Sequence, residues 1–407
     1  MAKDFKLTGL LALSLLLIDS AASAFERRIV VFQPGTSPAQ RVALAKAAGG
    51  IIVRELPLID AVVIEHPTML SIPESRLRAL AEVKRVDPDP QINWLTMADA
   101  RGADFAPASA GEIMKSIEAI RKRAADEPLP TAPPAGQETP WGIARVEAPA
   151  AWTASRGQGV RLVVIDTGID LTHPELAGII KGGWNAISTS STFNDDNGHG
   201  THCSGTIAAK DDDQGVVGVA PQIDLYGVKV LDRNGSGTFD DVIAGMLWAV
   251  ENKMEVASMS LGAGQGNQSL ADAVEAMRKS GVILIAAAGN SGGSVGYPAA
   301  YPGAIAVAAS DLKDKLASFS SRGPSVAIIA PGVAVKSTYM GGGYNTLSGT
   351  SMATPHVAGL TALYVATHKG ATPALALAAL QAASTKLEGV PDIGQGAGLP
   401  SAVKLIR

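Results

Sequence analysis

Short apolar runs alternate with helical segments between residues 139 and 407. Strands are predicted at 162–165, 224–231, 256–261, 282–287, 305–309 and 326–329, and helices at 200–209, 240–252, 270–279, 352–368 and 373–383. A run such as 282–287 places apolar side chains on both faces, which is typical of a parallel sheet covered by helices on each side. The pattern therefore predicts an α/β domain with a doubly wound, mainly parallel sheet.

A smaller pattern occupies residues 25–93. Strand-like runs at 29–32, 51–55, 61–65 and 83–86 alternate with helical stretches at 38–48 and 74–82. This β-α-β-β-α-β order predicts a small α+β domain of ferredoxin-like type. A piece of about 65 residues buries little apolar surface, so we expect it to gain stability by docking on a partner.

The first 24 residues have the pattern of a secretory signal peptide. Lys3 and Lys6 precede an apolar run at 7–18, and Ala22 and Ala24 supply the small residues before a cleavage point. The run is shorter than the ~20 residues that a membrane-spanning helix needs, so a signal is preferred to an anchor. Since no later run is long enough to span a bilayer, we expect a secreted protein, extracellular or periplasmic.

Residues 94–138 are predicted to form a linker rich in proline, which favours extended chain. Within it, the stretch 111–126 has isoleucines on one helical face and basic residues elsewhere. A basic amphipathic helix can contact a membrane or a partner. A surface helix in a disposable linker is the preferred interpretation.

Composition narrows the possible functions. A net charge of −4 gives no electrostatic attraction for nucleic acid or an anionic membrane. Cys203 is the single cysteine, so an intrachain disulfide is excluded. Packing or bound metal must then stabilise the protein outside the cell, and we expect a monomer.

Three motifs place reactive residues at predicted element ends. Asp166 follows the run 162–165, and sites in such sheets form just outside the carboxyl ends of strands. His199 stands between two glycines at a predicted helix start. Ser351 begins another helix, where free N–H groups lie beside its hydroxyl, and Pro355 is predicted in its first turn, where proline is tolerated. A turn acid or an N-cap serine would explain single residues, so the argument lies in the combination.

Together these motifs resemble those of the subtilisin-like serine peptidases. The order aspartate, histidine, serine matches that family and differs from the orders in chymotrypsin and the α/β-hydrolases. A fourth segment, 286–292, resembles the family's oxyanion-hole strand end and contains Asn290. The resemblance covers residues 139–407 and implies a subtilisin-like fold and a serine endopeptidase.

The resemblance implies a role for each residue. His199 would take the proton of the Ser351 hydroxyl and return it to the leaving amine. Asp166 would orient the imidazole and stabilise its charged form. The Asn290 amide and the Ser351 backbone N–H would donate hydrogen bonds to the oxyanion of an intermediate that leads to an acyl-enzyme.

Two neighbours of His199 raise the question of a metal. His202 and Cys203 lie close in sequence, but without further cysteines or histidines a zinc ligand set is incomplete, so we expect no catalytic metal. By the resemblance, His202 packs structurally. Cys203 matches a cysteine that the proteinase K and thermitase branches place beneath the catalytic histidine, and a buried thiol of this kind is inert.

Peptide substrates add a strand to exposed edges in this family. The positions that match its substrate-binding segments are Gly235, Ser236, Gly237, Phe239, Ser260, Leu261, Gly262 and Gly296. By the resemblance, Phe239 borders an upstream apolar subsite and Gly296 forms the floor of the primary pocket. We expect large apolar or aromatic residues to be preferred before the scissile bond.

The segment 210–216 is either an acidic surface turn or the family loop that wraps a structural calcium ion, which it matches in length. Calcium binds six to eight oxygens from carboxylates, amides and carbonyls. By the resemblance, the ligands are Gln137, Glu175, Asp212 and the carbonyls of Lys210, Gln214 and Val216. Glu175 stands where relatives usually have aspartate.

The resemblance also gives residues 25–93 a role as a propeptide that assists folding and inhibits the enzyme until it is removed. Processing would then fall between residues 93 and 138, and before Gln137 if this residue binds calcium. The expected partners are protein or peptide substrates and the chain's own propeptide. The alternative is a catalytically inactive scaffold that binds peptides or partner proteins, whereas a lipase would need a Gly-x-Ser-x-Gly elbow that Ser351 lacks.

Overall fold

A computed structural model describes residues 25–67, 73–95 and 136–407. The chain divides into an N-terminal unit that ends at Pro90 and a C-terminal unit from Gln91 to Arg407. The predicted signal peptide, the amphipathic stretch at 111–126 and most of the predicted linker lie outside the described residues. In the described part of the chain, no helix has the length and apolar character needed to cross a membrane.

The N-terminal unit is a four-stranded antiparallel sheet with two helices. Its elements are β1 (Phe25–Phe32), α1 (Pro38–Ala47), β2 (Ile51–Leu56), β3 (Ala61–Pro67), α2 (Pro73–Arg78) and β4 (Val83–Pro88). The strands lie in the order β2-β3-β1-β4. Alternate residues Val30, Phe32, Val62 and Ile64 form one core with the helices. Helix α2 ends four residues before its predicted end, because the N–H of Val83 closes a turn onto the carbonyl of Leu80.

The C-terminal unit is built on a seven-stranded parallel sheet. Its strands are β6 (Arg161–Asp166), β7 (Ile180–Asn185), β8 (Asp224–Lys229), β10 (Val256–Met259), β11 (Ile283–Ala287), β12 (Ala304–Ser310) and β13 (Val326–Pro331). They lie in the order β13-β12-β11-β10-β6-β8-β7. The predicted mainly parallel sheet is confirmed. The edge strand β7 was not predicted, since it contains two glycines and lacks an apolar run.

Short strands form three further pairs in the C-terminal unit. These are β5 (Gln91–Asn93) with β9 (Ser236–Thr238), β14 (Val335–Tyr339) with β15 (Gly343–Leu347), and β16 (Ser384–Thr385) with β17 (Leu399–Pro400). All three pairs are antiparallel. The first pair joins the start of this unit to a segment of the predicted substrate-binding region.

Helices cover both faces of the parallel sheet. They are α3 (Trp141–Arg145), α4 (Ala148–Ala151), α5 (His199–Ala208), α6 (Phe239–Glu251), α7 (Gln268–Lys279), α8 (Thr350–Thr367), α9 (Pro373–Ala382), α10 (Asp392–Gln395) and α11 (Ala402–Leu405). Leu162 and Val164 pack in the cluster that contains α8. Ile165 faces the other way, where a β-carbon on Gly245 of α6 would come within 3.1 Å of its side chain. Helices α6 and α8 therefore lie on opposite faces.

One histidine of α8 lies inside the core. His356 is fully buried and donates from Nδ1 to the carbonyl of Met352 at 2.9 Å. Its Nε2 has no hydrogen-bond partner, and a β-carbon on Gly142 would come within 2.2 Å of this nitrogen. Burial of the ring therefore lowers the pKa of His356 to about 4.

This buried histidine makes stability depend on pH. The unfolded chain protonates His356 near pH 6.5 and the folded protein near pH 4, so stability falls as pH drops through this window, by about 3 kcal/mol from this group. His356→Asn, which keeps a donor for Met352, is expected to flatten that part of the stability profile. The measurement is urea unfolding from pH 7 to 4, in a Ser351→Ala background that prevents self-digestion. His368→Asn, at the exposed end of α8, is the control, and equal slopes for all three proteins would contradict the expectation.

Candidate active site

Asp166 and His199 meet at the carboxyl edge of the parallel sheet. Asp166 ends β6 and is fully buried, whereas His199 begins α5 and its side chain is 13% exposed. The imidazole Nδ1 lies 2.8 Å from Asp166 Oδ1, which also accepts the N–H of Thr167 at 2.7 Å. An N–H at Nδ1 that donates to the carboxylate leaves Nε2 as a proton acceptor.

The electrostatics of the pair favour a basic imidazole. Burial alone would lower the pKa of His199, but the adjacent carboxylate of Asp166 outweighs it and holds that pKa well above its usual value. The histidine can therefore take a proton from a neighbouring group and keep its positive charge next to Asp166. The ring can act as a general base only while it is unprotonated, so the raised pKa favours this role at alkaline pH.

Cys203 lies under the imidazole, as the resemblance implied. Its sulfur is fully buried, 4.0 Å from His199 Nδ1, and it donates to the carbonyl of Ser351 at 3.5 Å. Burial raises the pKa of this thiol, which keeps it protonated and unreactive. The thiol therefore contacts both His199 and Ser351.

His202 points away from the pair. It is fully buried, and its Nε2 lies 3.0 Å from the carbonyl of Val335. Burial lowers its pKa to about 3, so the ring is neutral. Among the described residues, the group of potential metal ligands consists of Asp166, His199 and Cys203, with ligand atoms within 4.8 Å of one another, and it does not include His202. These three donors are fewer than the four protein ligands of a structural zinc site, and the Nδ1 of His199 already bonds to Asp166.

Ser351 lies in the first turn of α8. Its hydroxyl donates to the carbonyl of Ser260 at 2.9 Å. Helix α8 begins at Thr350, so Pro355 is its sixth residue and not in the first turn, and that prediction was wrong. Proline has no N–H for the carbonyl four residues earlier, which is that of Ser351. This carbonyl accepts instead from Ser260 Oγ at 2.8 Å and from the thiol of Cys203.

Two N–H donors face a common space beside Ser351. Asn290 Oδ1 accepts hydrogen bonds from the backbone and the hydroxyl of Thr350 at 2.8 and 3.0 Å, which turns its amide nitrogen the other way. A β-carbon placed on Gly349 would lie 3.3 Å from Asn290 Nδ2 and 3.6 Å from the backbone nitrogen of Ser351. That nitrogen is one of the first N–H groups of α8, which have no partner inside a helix. The arrangement can hold an oxyanion.

Gly349 was missed in the sequence. A β-carbon there would come within 3.3 and 3.6 Å of the two donor nitrogens, so glycine leaves room beside them. Its φ of 162° is ordinary extended backbone, so the requirement for glycine is one of space and not of conformation. The available signal was its position two residues before the candidate nucleophile.

The predicted substrate-binding positions lie on separate segments of the C-terminal unit. Gly235, Ser236 and Gly237 lie at β9, Phe239 is the first residue of α6, and Ser260, Leu261 and Gly262 follow β10. Gly296 is buried and its N–H bonds to the carbonyl of Ala288, which follows β11, at 2.9 Å. The structure thus places Gly296 beside the strand end that leads to Asn290.

The chain's own residues 91–95 bond to two of these segments. Strand β5 pairs antiparallel with β9, with Ile92 opposite Gly237. Trp94 donates from its backbone to Gly235 O at 2.9 Å and accepts from the N–H of Gly262 at 3.0 Å. The segment therefore lies between the two predicted substrate-binding segments, in the manner of an added strand.

The side chain of Trp94 fills a buried pocket. It is fully buried, its ring centroid lies 4.9 Å from that of Phe239 in an edge-to-face contact, and its indole N–H donates to Gly237 O at 3.0 Å. Phe239 thus borders the apolar pocket that Trp94 fills. The role of Trp94 was missed because its sequence surroundings predicted only the start of a linker.

The predicted calcium loop is closed around a buried carboxylate. Glu175 is 3% exposed, and its Oε1 accepts from the Tyr344 hydroxyl at 2.7 Å. Its Oε2 has no hydrogen-bond partner among the residues that the structure describes. Burial, and to a lesser degree the charge of Asp212, raise the pKa of Glu175. A β-carbon on Gly215 would collide with Glu175 Oε1, so the loop passes directly over this carboxylate. An unsatisfied carboxylate oxygen beside Asp212 fits a hard cation.

Gln137 differs from the other predicted ligands. Its Oε1 accepts the N–H groups of Asp212 and Asp213 at 2.8 and 3.1 Å, and its Nε2 donates to Asp211 Oδ1 at 2.7 Å. In this arrangement the amide fastens the loop by hydrogen bonds. Glu175 and Asp212 fit a cation, whereas Gln137 would have to reorient to bind one.

Comparison with known proteins agrees with this geometry. The model of the Subtilase family matches residues 157–398. The chain is 51% identical over 229 residues to the Thermostable alkaline protease of Halalkalibacterium halodurans, a match that covers 56% of this chain and 63% of the relative. It is 50% identical to Subtilisin Savinase of Lederbergia lenta, covering 56% and 84% of the two chains. With Subtilisin E of Bacillus subtilis it shares 44% identity, covering 64% and 70%.

These relatives are subtilisins and alkaline proteases, and they do not single out the proteinase K or thermitase branch that Cys203 resembles. The chain spans less than two thirds of the first relative's length. The family model nevertheless covers more than half of this chain, including Asp166, His199, Asn290 and Ser351. By its sheet, its site and this match, the chain belongs to the subtilase family.

Proposed function

We propose that the chain is a serine endopeptidase that hydrolyses peptide bonds through an acyl-enzyme on Ser351. The observation that carries the proposal is the buried Asp166–His199 pair, with Nε2 left as acceptor, at the sheet edge where α8 brings Ser351. The oxyanion space beside Gly349 supports it. Names of relatives such as Thermostable alkaline protease point the same way.

In the proposed reaction, the Ser351 hydroxyl rotates away from the Ser260 carbonyl toward His199 Nε2 and attacks the peptide carbonyl carbon. The hydroxyl proton passes to Nε2, while the carbonyl oxygen becomes an anion between Asn290 Nδ2 and the Ser351 N–H. His199 then gives the proton to the leaving amine, which breaks the C–N bond. Water, activated in turn by His199, hydrolyses the ester and restores the serine.

Substrate binding is proposed to follow the path of residues 91–95. A peptide placed there would bond to Gly235 and Gly262 through its backbone, as Trp94 does. The subsite at Phe239 accepts an aromatic side chain as large as tryptophan. With Gly296 leaving room in the primary pocket, large apolar residues are the proposed preference before the scissile bond.

The position of residues 91–95 also supports a proenzyme. The N-terminal unit with β5 is proposed to act as propeptide and inhibitor, because a segment bound between Gly235 and Gly262 excludes substrate. Processing is proposed downstream of Leu95 and before Gln137. We further propose that the protein is secreted through its N-terminal signal and acts as a monomer.

A structural calcium ion is proposed at the loop 210–216. Glu175 and Asp212 would hold it, with the carbonyls of Lys210, Gln214 and Val216 and with Gln137 after reorientation. The supporting observation is the unsatisfied buried oxygen of Glu175. The ion would neutralise two facing carboxylates and stabilise the fold, without a part in the chemistry.

The activity is tested with a fluorophosphonate probe and a peptide substrate. Wild type and Ser348→Ala, an exposed serine three residues earlier, are expected to be labelled and active. Ser351→Ala is expected to lose labelling and about 10⁶-fold in kcat. Labelling of Ser351→Ala, or no hydrolysis by the wild type, would favour the inactive-scaffold alternative.

Gly349→Ala tests the oxyanion space. Because the added methyl would lie 3.3 Å from Asn290 Nδ2 and occupy the site of the oxyanion, kcat is expected to fall about 10²–10³-fold with KM little changed. The control is Gly182→Ala, where a β-carbon meets nothing closer than the Tyr226 ring at 3.5 Å. Steady-state kinetics decide, and a kcat within threefold of wild type would refute this assignment.

Calcium is tested by thermal unfolding of the Ser351→Ala protein. At calcium near 100 times its Kd, removal of the ion by EGTA would cost about 3 kcal/mol and lower Tm by about 5 °C. Glu175→Gln, which mimics the protonated acid, is expected to remove the response to EGTA, whereas Glu388→Gln on the exposed surface should retain it. An identical Tm with and without EGTA would exclude the ion.

A further inference from the structure

Asp195 is a buried carboxylate that the proposed mechanism does not use. It lies four residues before His199 and is 4% exposed. The ion pair in this loop belongs to its neighbour, Asp196, whose carboxylate lies 2.6 Å from the ammonium group of Lys229. The charge of Asp195 is instead surrounded by hydrogen-bond donors.

Five donors point at this carboxylate from two segments of the chain. Oδ1 accepts from the hydroxyl of Thr167 at 2.9 Å and from the N–H groups of Asn197 and Gly198, both at 3.0 Å. Oδ2 accepts from the N–H and the hydroxyl of Thr201 at 3.0 and 2.6 Å. Thr167 directly follows Asp166, while Gly198 and Thr201 flank His199.

The hydroxyls of the two threonines extend this connection. Thr167 Oγ1 accepts the N–H of Gly200 at 2.9 Å, and Thr201 Oγ1 accepts the N–H of Asp170 at 2.9 Å. The backbone around Asp166 is thus fastened to the start of α5 on both sides of His199. Both hydroxyls donate to Asp195, so its carboxylate sets their orientation.

We propose that Asp195 is a positioning residue of the reaction, which holds the Asp166 turn against the start of α5 so that the carboxylate meets the imidazole. The proposal rests on the proposed peptidase function. Asp195 acts through Asp166 and His199. Oδ1 of Asp166 and the ring nitrogen Nδ1 of His199 lie 2.8 Å apart. A misplacement of about 1 Å in such a pair can cost about 100-fold in rate.

The geometry requires a carboxylate. An asparagine at this position has one acceptor oxygen and one amide nitrogen, so one side of the network would meet an NH₂ group. If its oxygen kept the Oδ1 partners, the NH₂ group would face the N–H of Thr201, leaving a buried donor without an acceptor. Asp195→Asn is therefore nearly equal in size but breaks part of the network.

The first experiment compares the kinetics of Asp195→Asn with wild type. The expected result is a fall in kcat of about 10–100-fold with KM within about twofold, because β9 and residues 260–262 bind the peptide independently of this network. The matched control is Asp311→Asn, whose carboxylate accepts the N–H groups of Lys313 and Lys315 in a turn away from the site. This variant should match wild type in both constants.

The second experiment places Asp195→Asn in an Asp166→Ala background. With no carboxylate left to position, the further loss in kcat is expected to be below about threefold, since effects of residues that act as a unit are not additive. A general effect on the fold would give the same loss in both backgrounds. Thr167→Val, which removes one donor to Asp195 at similar volume, should repeat the kcat effect and serves if Asp195→Asn does not fold.

The outcomes separate this inference from the proposed function. An active wild type with unchanged kcat in both Asp195→Asn and Thr167→Val would overturn the positioning role alone. Equal losses with and without Asp166 would overturn it as well. A wild type that neither hydrolyses peptide nor reacts with the fluorophosphonate probe would overturn the peptidase proposal and this inference with it.

Discussion

The hydrogen bond of 2.8 Å between His199 Nδ1 and Asp166 Oδ1 is the interaction on which the site depends. It requires a fully buried carboxylate at the end of β6, which is costly unless donors surround it. The N–H of Thr167 and the imidazole both donate to Oδ1, whereas Oδ2 has no hydrogen-bond partner among the described residues. The bond from the imidazole leaves Nε2 as the acceptor. The parallel sheet brings these two residues and the start of α8 to the same edge.

Much of this arrangement could be predicted from sequence. Strands such as β11 are continuous apolar runs, which identify the sheet. Asp166, His199 and Ser351 each stand in a short motif, and their order along the chain is typical of the family. The edge strand β7 carries glycines and exposed positions, so its pattern held no signal. Gly349 and the orientation of Gln137 depend on where other segments lie in space, which no local pattern contains.

The contacts of residues 91–95 could not be predicted from the sequence. Composition predicted that residues 94 and 95 start a linker, but Trp94 is fully buried. Its backbone forms hydrogen bonds with Gly235 and Gly262, and its indole N–H donates to Gly237. This segment is held by backbone hydrogen bonds, an indole hydrogen bond and one aromatic contact, which have no strong signature in a single sequence. The loop 210–216 shows the opposite case. Its acidic residues were conspicuous in the sequence, but the hydrogen bonds of Gln137 to Asp211, Asp212 and Asp213 were not.

Pro355 determines how the backbone oxygen of Ser351 is held, and therefore which substitutions affect the site. By withholding an N–H, it leaves the backbone oxygen of the nucleophile to be held by two side chains, Ser260 from the end of β10 and Cys203 from α5. The reactive serine is thus attached to three structural elements and not only to its own helix. Replacement of Cys203 or Ser260 would therefore remove one of the two bonds that hold this oxygen, so both positions are coupled to the placement of Ser351.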